Sequence, residues 1–205
     1  MDYYMTEQNQ NTIYIVPIIS KGSVLQTVYN IIVLMISILR LWPHLVMSFF
    51  SSNKKMILSD VKTYGNLIAS LTFCKHYRNL FYYRIGYFRY FIQWLAPGEI
   101  SIIIHQKMPI GKHAHFVHNI NSHLNAKCIG ENFICYQHVV LGSKNIHDKG
   151  KPQIGNNVTI CTGAVVVGDI IIGNNVIIGA NAFVNRDVPD NSIVIGNPGI
   201  IKNKK

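Results

Sequence analysis

Residues 154–189 read IGNNVTICTGAVVVGDIIIGNNVIIGANAFVNRDVP, and this stretch decides the fold. Every sixth residue from Ile154 is Ile or Val, and the fifth position of each hexad is small or β-branched. These positions are Ile154, Ile160, Val166, Ile172, Ile178 and Val184, then Val158, Ala164, Ile170, Val176, Ala182 and Val188. Three hexads make one triangular coil whose anchor residues stack inside a prism. The period of six therefore predicts a parallel β-helix rather than a β-sandwich, which would alternate with period two.

Gly and Asn residues separate the anchors, as at Gly155–Asn157 and Gly173–Asn175, and suit corners with unusual backbone angles. Two shorter blocks of hexads precede this one, with anchors at Ile104, Ile110 and Phe116, and at Ile129, Cys135 and Leu141. The three registers join only with a slip near 121–128 and an inserted loop at 143–153. The β-helix is therefore predicted to begin at residue 99, after the breaker sequence Ala-Pro-Gly.

The composition predicts three regions: an α-helical region at 1–98, a β-helix at 99–195 and a basic C-terminal tail at 196–205. In the first region Leu34, Ile38 and Leu41 recur at helical spacing. The run at 73–91 mixes aromatic with basic residues, which is also typical of RNA-binding surfaces. We expect instead a helix that packs its aromatic side chains and leaves its basic face in solvent, with no nucleic-acid partner.

The chain carries 19 Lys and Arg against 9 Asp and Glu, a net charge of +10 that favours a negatively charged partner. The apolar segment at 24–50 is interrupted by Arg40, Pro43 and His44, so a spanning helix is disfavoured and a buried or membrane-surface helix preferred. The polar first residues do not resemble a signal peptide, and the four cysteines form no CxxC pair. We therefore expect a cytoplasmic protein, with peripheral contact to the inner membrane face through its helices.

Residues 99–201 resemble the hexapeptide-repeat acyltransferases of left-handed β-helix fold, and most closely their serine acetyltransferase-like branch. The C-terminal segment IVIGNPGIIKN is similar to the terminal Gly-Asn-Pro-Ala segment of that family. The spacing of His105, Gly111 and His118 reproduces the family's His, five residues, Gly, six residues, His. The resemblance implies that His118 is the general base of an acetyl-CoA-dependent O-acetyltransferase. An imidazole suits this role because its ordinary pKa is near neutrality.

Three positions depart from the serine acetyltransferase pattern. The acid that orients the catalytic imidazole is replaced by Ile103, the acid before that imidazole by Val117, and an Arg-His-Pro segment by Gly150-Lys151-Pro152. An unpaired charge in a site is costly, so these changes disfavour a zwitterionic acceptor. We therefore expect a sugar hydroxyl of a surface polysaccharide as the acceptor, with serine as the alternative. The predicted supporting or acceptor-binding residues are His105, Asn119, Gln137, His138 and Lys151.

The resemblance also implies where acetyl-CoA binds, in a groove between coils of adjacent subunits. Alignment with the branch gives as contact positions Gly142, Ser143, Thr162, Gly163 and Ala180, with Lys202, Lys204 and Lys205 toward the phosphates. A groove formed by one flat face would leave the pantetheine arm half exposed. We therefore expect a homotrimer, in which closed symmetry pairs all such faces.

Two alternatives from other classes remain. His113, His115, His118 and His123 could form the three-histidine zinc site of a γ-type carbonic anhydrase-like β-helix. The chain could also be a non-catalytic scaffold, since solenoids often serve as binding surfaces. The acyltransferase spacing and the inserted loop favour the enzyme, for which no metal is expected.

Overall fold

A computed structural model of the chain describes residues 24–204, and the first half of this range is helical, as predicted. The helices are α1 Val24–Phe50, α2 Lys54–Tyr64, α3 Leu67–Phe73, α4 Lys75–Ile85 and α5 Arg89–Ile92, with a 3-10 turn at Gly86–Phe88. Asn66 begins α3 by accepting hydrogen bonds from the backbone N–H groups of Ile68 and Ala69, at 2.9 and 3.4 Å. This capping satisfies donors that the first turn of a helix leaves unpaired.

The second half consists of short strands in three sheets. The strands are β1 Ile103–Ile104, β2 His115–Phe116, β3 His123–Leu124, β4 Cys128–Ile129, β5 Ile134–Cys135, β6 Val140–Gly142, β7 Gln153–Ile154, β8 Thr159–Ile160, β9 Val165–Val167, β10 Ile171–Ile172, β11 Ile177–Ile178, β12 Phe183–Val184, β13 Ser192–Ile195 and β14 Ile200–Asn203. The sheet orders are β1-β3-β6-β9-β12, β10-β7-β4 and β14-β13-β11-β8-β5-β2. Strands adjacent in a sheet come from successive coils and pair in parallel, except that β13 and β14 are antiparallel. The chain thus visits three sides in turn, which gives the predicted triangular prism.

The core of the prism is the column of hexad anchors. Ile160, Val166 and Ile178 are each fully buried, and Ile154, Ile172 and Val184 are at most 2% exposed. The small or β-branched fifth positions are buried beside them. Because each coil covers the anchors of the next, the six-residue period translates directly into a continuous apolar interior.

The corners explain the Gly and Asn residues. Asn157 and Asn175 have φ of 54° and 57°, in the left-handed region that Asn tolerates better than most residues. Gly111, Gly130 and Gly155 stack at the same corner, two residues before the left-handed position, where successive backbones touch. A Cβ on Gly111 would lie 2.5 Å from the carbonyl carbon of Gly130, and one on Gly130 would lie 2.5 Å from the carbonyl oxygen of Gly155. Gly111, the glycine between His105 and His118 in the family spacing, is therefore required by the close approach of two backbones.

The helical half packs against the first coil of the β-helix. Arg84 of α4 pairs with Asp60 of α2 at 2.9 Å and donates to the carbonyls of Ile110 and Gly111 at 2.5 and 2.6 Å. Burial raises the pKa of Asp60, while the Arg84 guanidinium opposes that shift. The backbone N–H of Phe116 donates to the Tyr64 hydroxyl at 2.6 Å. These contacts fix α2 and α4 against β2.

The expectation for the aromatic and basic run is wrong in part. Arg78 and Arg84 do not face solvent but are buried. Arg78 donates to three backbone carbonyls, those of Leu71, Thr72 and Pro97, at 2.6, 2.5 and 2.8 Å. A guanidinium has five N–H donors, so it can satisfy several buried carbonyls at once. The exposed aromatic residues are instead Phe73 at the start of the run and four residues at its end, Tyr87, Phe88, Tyr90 and Phe91.

Helix α1 is attached to the protein along a narrow stripe. Ser37, Leu41 and His44 are buried, whereas Ile38, expected on the same helical pattern as Leu41, is exposed. The segment Ile31–Phe50 has a mean hydropathy of 1.9 and is long and apolar enough to cross a membrane by length and composition alone. Core helices and signal sequences satisfy the same criterion. Only 17% of this segment is buried, which sets α1 apart from a core helix.

Three local departures interrupt the regular coils. His115 and His123 pair with Ile134 and Val140, so the corner between β2 and β3 is two residues longer than the next one. This extra length begins at His118, slightly earlier than the slip predicted near 121–128. The predicted loop lies between β6 and β7. Residues 196–205, set apart by composition as a tail, contribute β14, which pairs with β13.

Candidate functional site

His118 lies at the long corner directly after β2. It is exposed and adopts a left-handed backbone with φ of 45°. Gln137, Thr162 and Ala180 follow β5, β8 and β11 by two residues in the next three coils, as His118 follows β2. One edge of the prism therefore carries the predicted base together with Thr162 and Ala180, two of the predicted CoA-contact positions.

A second histidine faces His118 from the helical half. The rings of His76, in α4, and His118 are 6.4 Å apart between centroids, at an angle of 79°. Burial lowers the pKa of His76, and the positive charge of His118 acts in the same direction. A backbone hydrogen bond with Asn119 and the nearby carboxylate of Glu99 oppose this shift. Nδ1 of His76 is buried and has no hydrogen-bond partner among the described residues.

No motif or spacing in the sequence pointed to His76 or Glu99. His76 belongs to the aromatic and basic run, and its neighbours in sequence indicate only a packed helix. Glu99 lies at the junction of the two halves, where its backbone N–H donates to Asn79 at 2.8 Å. Both residues reach the site through the packing of α4 on the first coil, which no local spacing encodes.

His115 lies beneath the same corner and is buried. Its ring packs edge-on against Tyr64 at 4.8 Å, and neither ring nitrogen has a hydrogen-bond partner among the described residues. Burial, with the charges of His118 and His76, lowers the pKa of His115 to about 4. Within residues 24–204, no three His, Cys, Asp or Glu side chains are arranged to hold a metal ion. The histidine cluster that suggested zinc is thus dispersed between the interior and the surface.

The two positions that carry acids in serine acetyltransferases lie beside this corner. The backbone N–H of Ile103 donates to the backbone carbonyl of Ser122 at 2.9 Å, and that of Val117 donates to the backbone carbonyl of Cys135 at 2.9 Å. The Ile103 side chain is 56% exposed. Both positions are thus held by backbone hydrogen bonds between coils, and both carry apolar side chains in place of the acids expected from the resemblance.

Three of the residues predicted near the acceptor, Asn119, Gln137 and His138, differ in accessibility. Asn119 is fully buried and donates to the sulfur of Cys135 at 3.2 Å, so its expected contact with an acceptor is corrected to a packing role. Gln137 is half-buried, with an Oε1 that has no partner among the described residues. His138 is exposed and takes a left-handed corner conformation, with φ of 60°.

His105 and Lys151 lie together, but on a different edge of the prism from His118. They line a groove of about 300 Å³ with six further residues: Lys107, Met108, Asn125, Ala126, Lys127 and Lys149. Lys127 forms an ion pair with Asp169, and the remaining lysines give the groove a positive character. Such a groove favours an anionic group such as a phosphate.

The predicted CoA-binding positions divide between the same two edges. Gly163 and Ala180 belong to the edge of His118, whereas Gly142 is the last residue of β6, at the edge of His105. Gly142 faces open space, since a Cβ there would meet no atom within 4 Å, and Ser143 is half-buried next to it. Lys202 is exposed on β14, and Lys205 lies outside the described residues.

Comparisons with known proteins agree with this architecture. Residues 151–186 match the family described as bacterial transferase hexapeptide (six repeats). A serine acetyltransferase from Staphylococcus aureus is 44% identical over 104 residues, which cover 49% of this chain and 48% of the relative. The chain therefore spans about half the length of the curated relatives it matches.

Solved structures show the same fold. A serine acetyltransferase from Neisseria gonorrhoeae superposes with a TM-score of 0.63 and 24% identity, over 73% of this chain and 66% of that chain. A serine acetyltransferase solved in complex with CoA superposes with a TM-score of 0.61 and 22% identity, over 74% of this chain and 70% of that chain. These likenesses confirm a left-handed parallel β-helix preceded by helices. The β-helical half of this chain is therefore similar to the bacterial hexapeptide transferases, and to serine acetyltransferases among them.

Proposed function

We propose that this protein is an acetyl-CoA-dependent O-acetyltransferase with His118 as its general base. The observation that carries the proposal is the edge that aligns His118 with Thr162 and Ala180 along successive coils. The 44% identity to a serine acetyltransferase covers this half of the chain and supports the same chemistry.

The reaction is a direct transfer. The acceptor hydroxyl gives its proton to the His118 imidazole as its oxygen attacks the thioester carbonyl of acetyl-CoA. The carbon–sulfur bond then breaks, and the departing sulfur takes the proton from the imidazolium, which yields free CoA thiol and the acetyl ester. Orientation of the two substrates at one edge supplies much of the rate, because it makes the reaction effectively unimolecular.

Serine is the first candidate acceptor. The curated relatives are named serine acetyltransferases, and they favour serine over the polysaccharide acceptor expected from the sequence. Glu99 supplies a carboxylate near His76, and Lys151 a positive charge in the groove beside His105. These groups could take over the role of the missing charged partners of an amino acid.

A sugar hydroxyl is the second candidate, and a specific observation favours it. Ile103 and Val117 replace two carboxylates beside the His118 corner. Each lost charge-assisted contact weakens binding of a zwitterion by about 1.5–3 kcal/mol. A neutral sugar lacks those charges and needs only hydrogen-bonding groups such as Gln137 and His138.

The predicted trimer is part of this proposal. The CoA positions fall on two edges of one prism, so a single chain does not unite them. A closed threefold assembly would set one edge of each subunit against the other edge of its neighbour. The complete site would then form between subunits.

Thiol release from acetyl-CoA tests the function, with serine, nucleotide sugars and lipid-linked oligosaccharides as acceptors. Release with serine above about 10⁴ M⁻¹s⁻¹, the low end for efficient enzymes, would establish serine as the acceptor. Release only with a sugar acceptor would establish the second candidate. No release above hydrolysis with any hydroxyl acceptor would contradict the acyltransferase proposal and favour the scaffold.

A further inference from the structure

The proposed reaction does not use the outer face of α1, which is exposed and apolar. Its exposed large apolar side chains include Met35, Ile36, Leu39, Trp42, Phe49 and Phe50. Leu39 alone is 78% exposed. Contiguous apolar surface of this length on a protein exterior marks an interaction site rather than ordinary surface variation.

The opposite face of α1 holds the helix sideways against the protein. His44 Nε2 lies 2.8 Å from the hydroxyl of Tyr82, which itself donates to the carbonyl of Ala96 at 2.6 Å. Ser37 and Leu41 are buried along the same stripe. A helix that crossed a bilayer would have to abandon these contacts and bring the exposed Arg40 into the hydrocarbon, where a charge is costly. The packing therefore favours a helix that lies in the membrane plane.

The charge of the helical half indicates which surface α1 meets. Residues 24–98 contain eight Lys and Arg but a single carboxylate, Asp60. Asp60 is buried and paired with Arg84, so it does not offset the exposed cations. Those exposed cations are Arg40, Lys54, Lys55, Lys62 and Lys75. A surface with only positive exposed charge beside an apolar face complements anionic lipid headgroups.

At the end of α1 an exposed apolar side chain lies next to a basic one. The Lys54 ammonium lies 3.9 Å above the ring of Phe49, at the boundary between the apolar face and the basic segment that follows. A long basic side chain beside an exposed aromatic ring is suited to the headgroup region, where the ring is partly buried and the ammonium reaches phosphate.

We propose that α1 docks in the plane of an anionic lipid bilayer, with Leu39 and its exposed apolar neighbours inserted at headgroup level and the surrounding Lys and Arg on the phosphates. This docking is independent of acetyl transfer. It would hold the protein at a membrane surface whichever acceptor it uses.

Sedimentation of the full chain with vesicles tests the proposal without acetyl-CoA or an acceptor. We expect binding to vesicles of phosphatidylglycerol and phosphatidylcholine in equal parts, weaker binding at high salt, and little binding to phosphatidylcholine alone. Leu39→Glu should weaken binding about tenfold or more, through lost apolar insertion and added repulsion. Ile146→Glu changes an equally apolar, 94% exposed residue in the β-helical half and should bind as the wild type does.

Four outcomes would overturn the proposal. Wild-type protein that stays in the supernatant with anionic vesicles, or a Leu39→Glu variant that binds normally, would remove the lipid surface as the partner. Light scattering in which Leu39→Glu reduces the oligomeric mass, without vesicle binding by the wild type, would assign the face to a second copy of the chain. Resistance of membrane-bound protein to alkaline extraction would assign a spanning helix.

Discussion

The rings of His76 and His118 meet 6.4 Å apart and nearly at right angles, although the two residues belong to different halves of the chain. His118 is the base predicted from spacing, and His76 comes from a helix that the β-helix pattern does not reach. The contact makes the helical half part of the candidate site.

Substitution of His118 by alanine tests the base directly. We expect turnover to fall by roughly 10²–10⁴, the usual contribution of a positioned base, while CoA binding is retained. Steady-state kinetics and calorimetric titration with CoA measure the two effects. His123→Gln provides the control, since His123 lies in β3 and outside this corner. An alanine variant with near wild-type turnover would refute the assignment.

His76 is expected to act as a positioning residue for the corner that carries His118. The backbone hydrogen bond with Asn119 ties α4 to the residue next to the base. We expect His76→Ala to lower kcat about tenfold with little change in the KM for acetyl-CoA. His76→Gln keeps an amide donor at the position of Nε2 and should recover part of the loss. Equal activity of the alanine and glutamine variants would exclude this role.

Acid should destabilise the protein through two buried histidines. Burial lowers the pKa of both His44 and His115 to about 4. In the unfolded chain each has a pKa near 6.5, so the unfolded state gains protons as pH falls from about 6.5 to about 4, and stability is lost over that window. At pH 5 each histidine lowers the free energy of unfolding by about 2 kcal/mol relative to neutral pH. Urea unfolding at pH 7.5 and pH 5 measures the difference.

His115→Leu isolates one of these contributions. The groups that face His115 are Tyr64 of α2, His76 of α4 and His118 of the corner. Its ring nitrogens have no partner among the described residues, so leucine sacrifices no hydrogen bond there. We expect the variant to lose about half as much stability on acidification as the wild type. An unchanged pH dependence would mean that His115 is protonated in the folded state.

Gly111→Ala tests the backbone stack at the glycine corner. Its Cβ would lie 2.5 Å from the backbone of Gly130, and backbone atoms cannot move aside as a flexible side chain can. Overpacking of this kind typically costs 1–3 kcal/mol, so we expect a loss of about 2 kcal/mol in unfolding free energy. Gly142→Ala is the control, because its Cβ would enter open space. Similar stability of the two variants would contradict the stacking argument.

Subunit mixing tests the site between neighbours. His118→Ala removes the base from one edge, and Ser143→Trp obstructs the other, so each variant alone should be inactive. A site shared by two subunits becomes intact when each neighbour supplies its unaltered edge, and random co-assembly should restore about one quarter of wild-type activity. An inactive mixture of verified mixed trimers would place the whole site within one chain.

The sequence by itself determined the β-helix, its anchors and the edge that carries His118. The reason is that six-residue periodicity is local: each hexad specifies its own strand and corner, and stacking repeats the same contact from coil to coil. The left-handed corners at Asn157 and Asn175 follow from the same repeat. The resemblance in spacing then predicted His118 as the base without knowledge of its surroundings.

Only the tertiary structure decided what surrounds that edge. His76 and His118 are brought together because Arg84, Asp60 and Tyr64 dock the helices on the first coil, and these contacts join residues far apart in sequence. The same packing selected the Ser37, Leu41 and His44 stripe of α1 for burial and left Ile38 exposed, although the helical period alone allowed either face. A periodic pattern specifies that a helix has a face, whereas the shape of the neighbouring surface determines which face is covered.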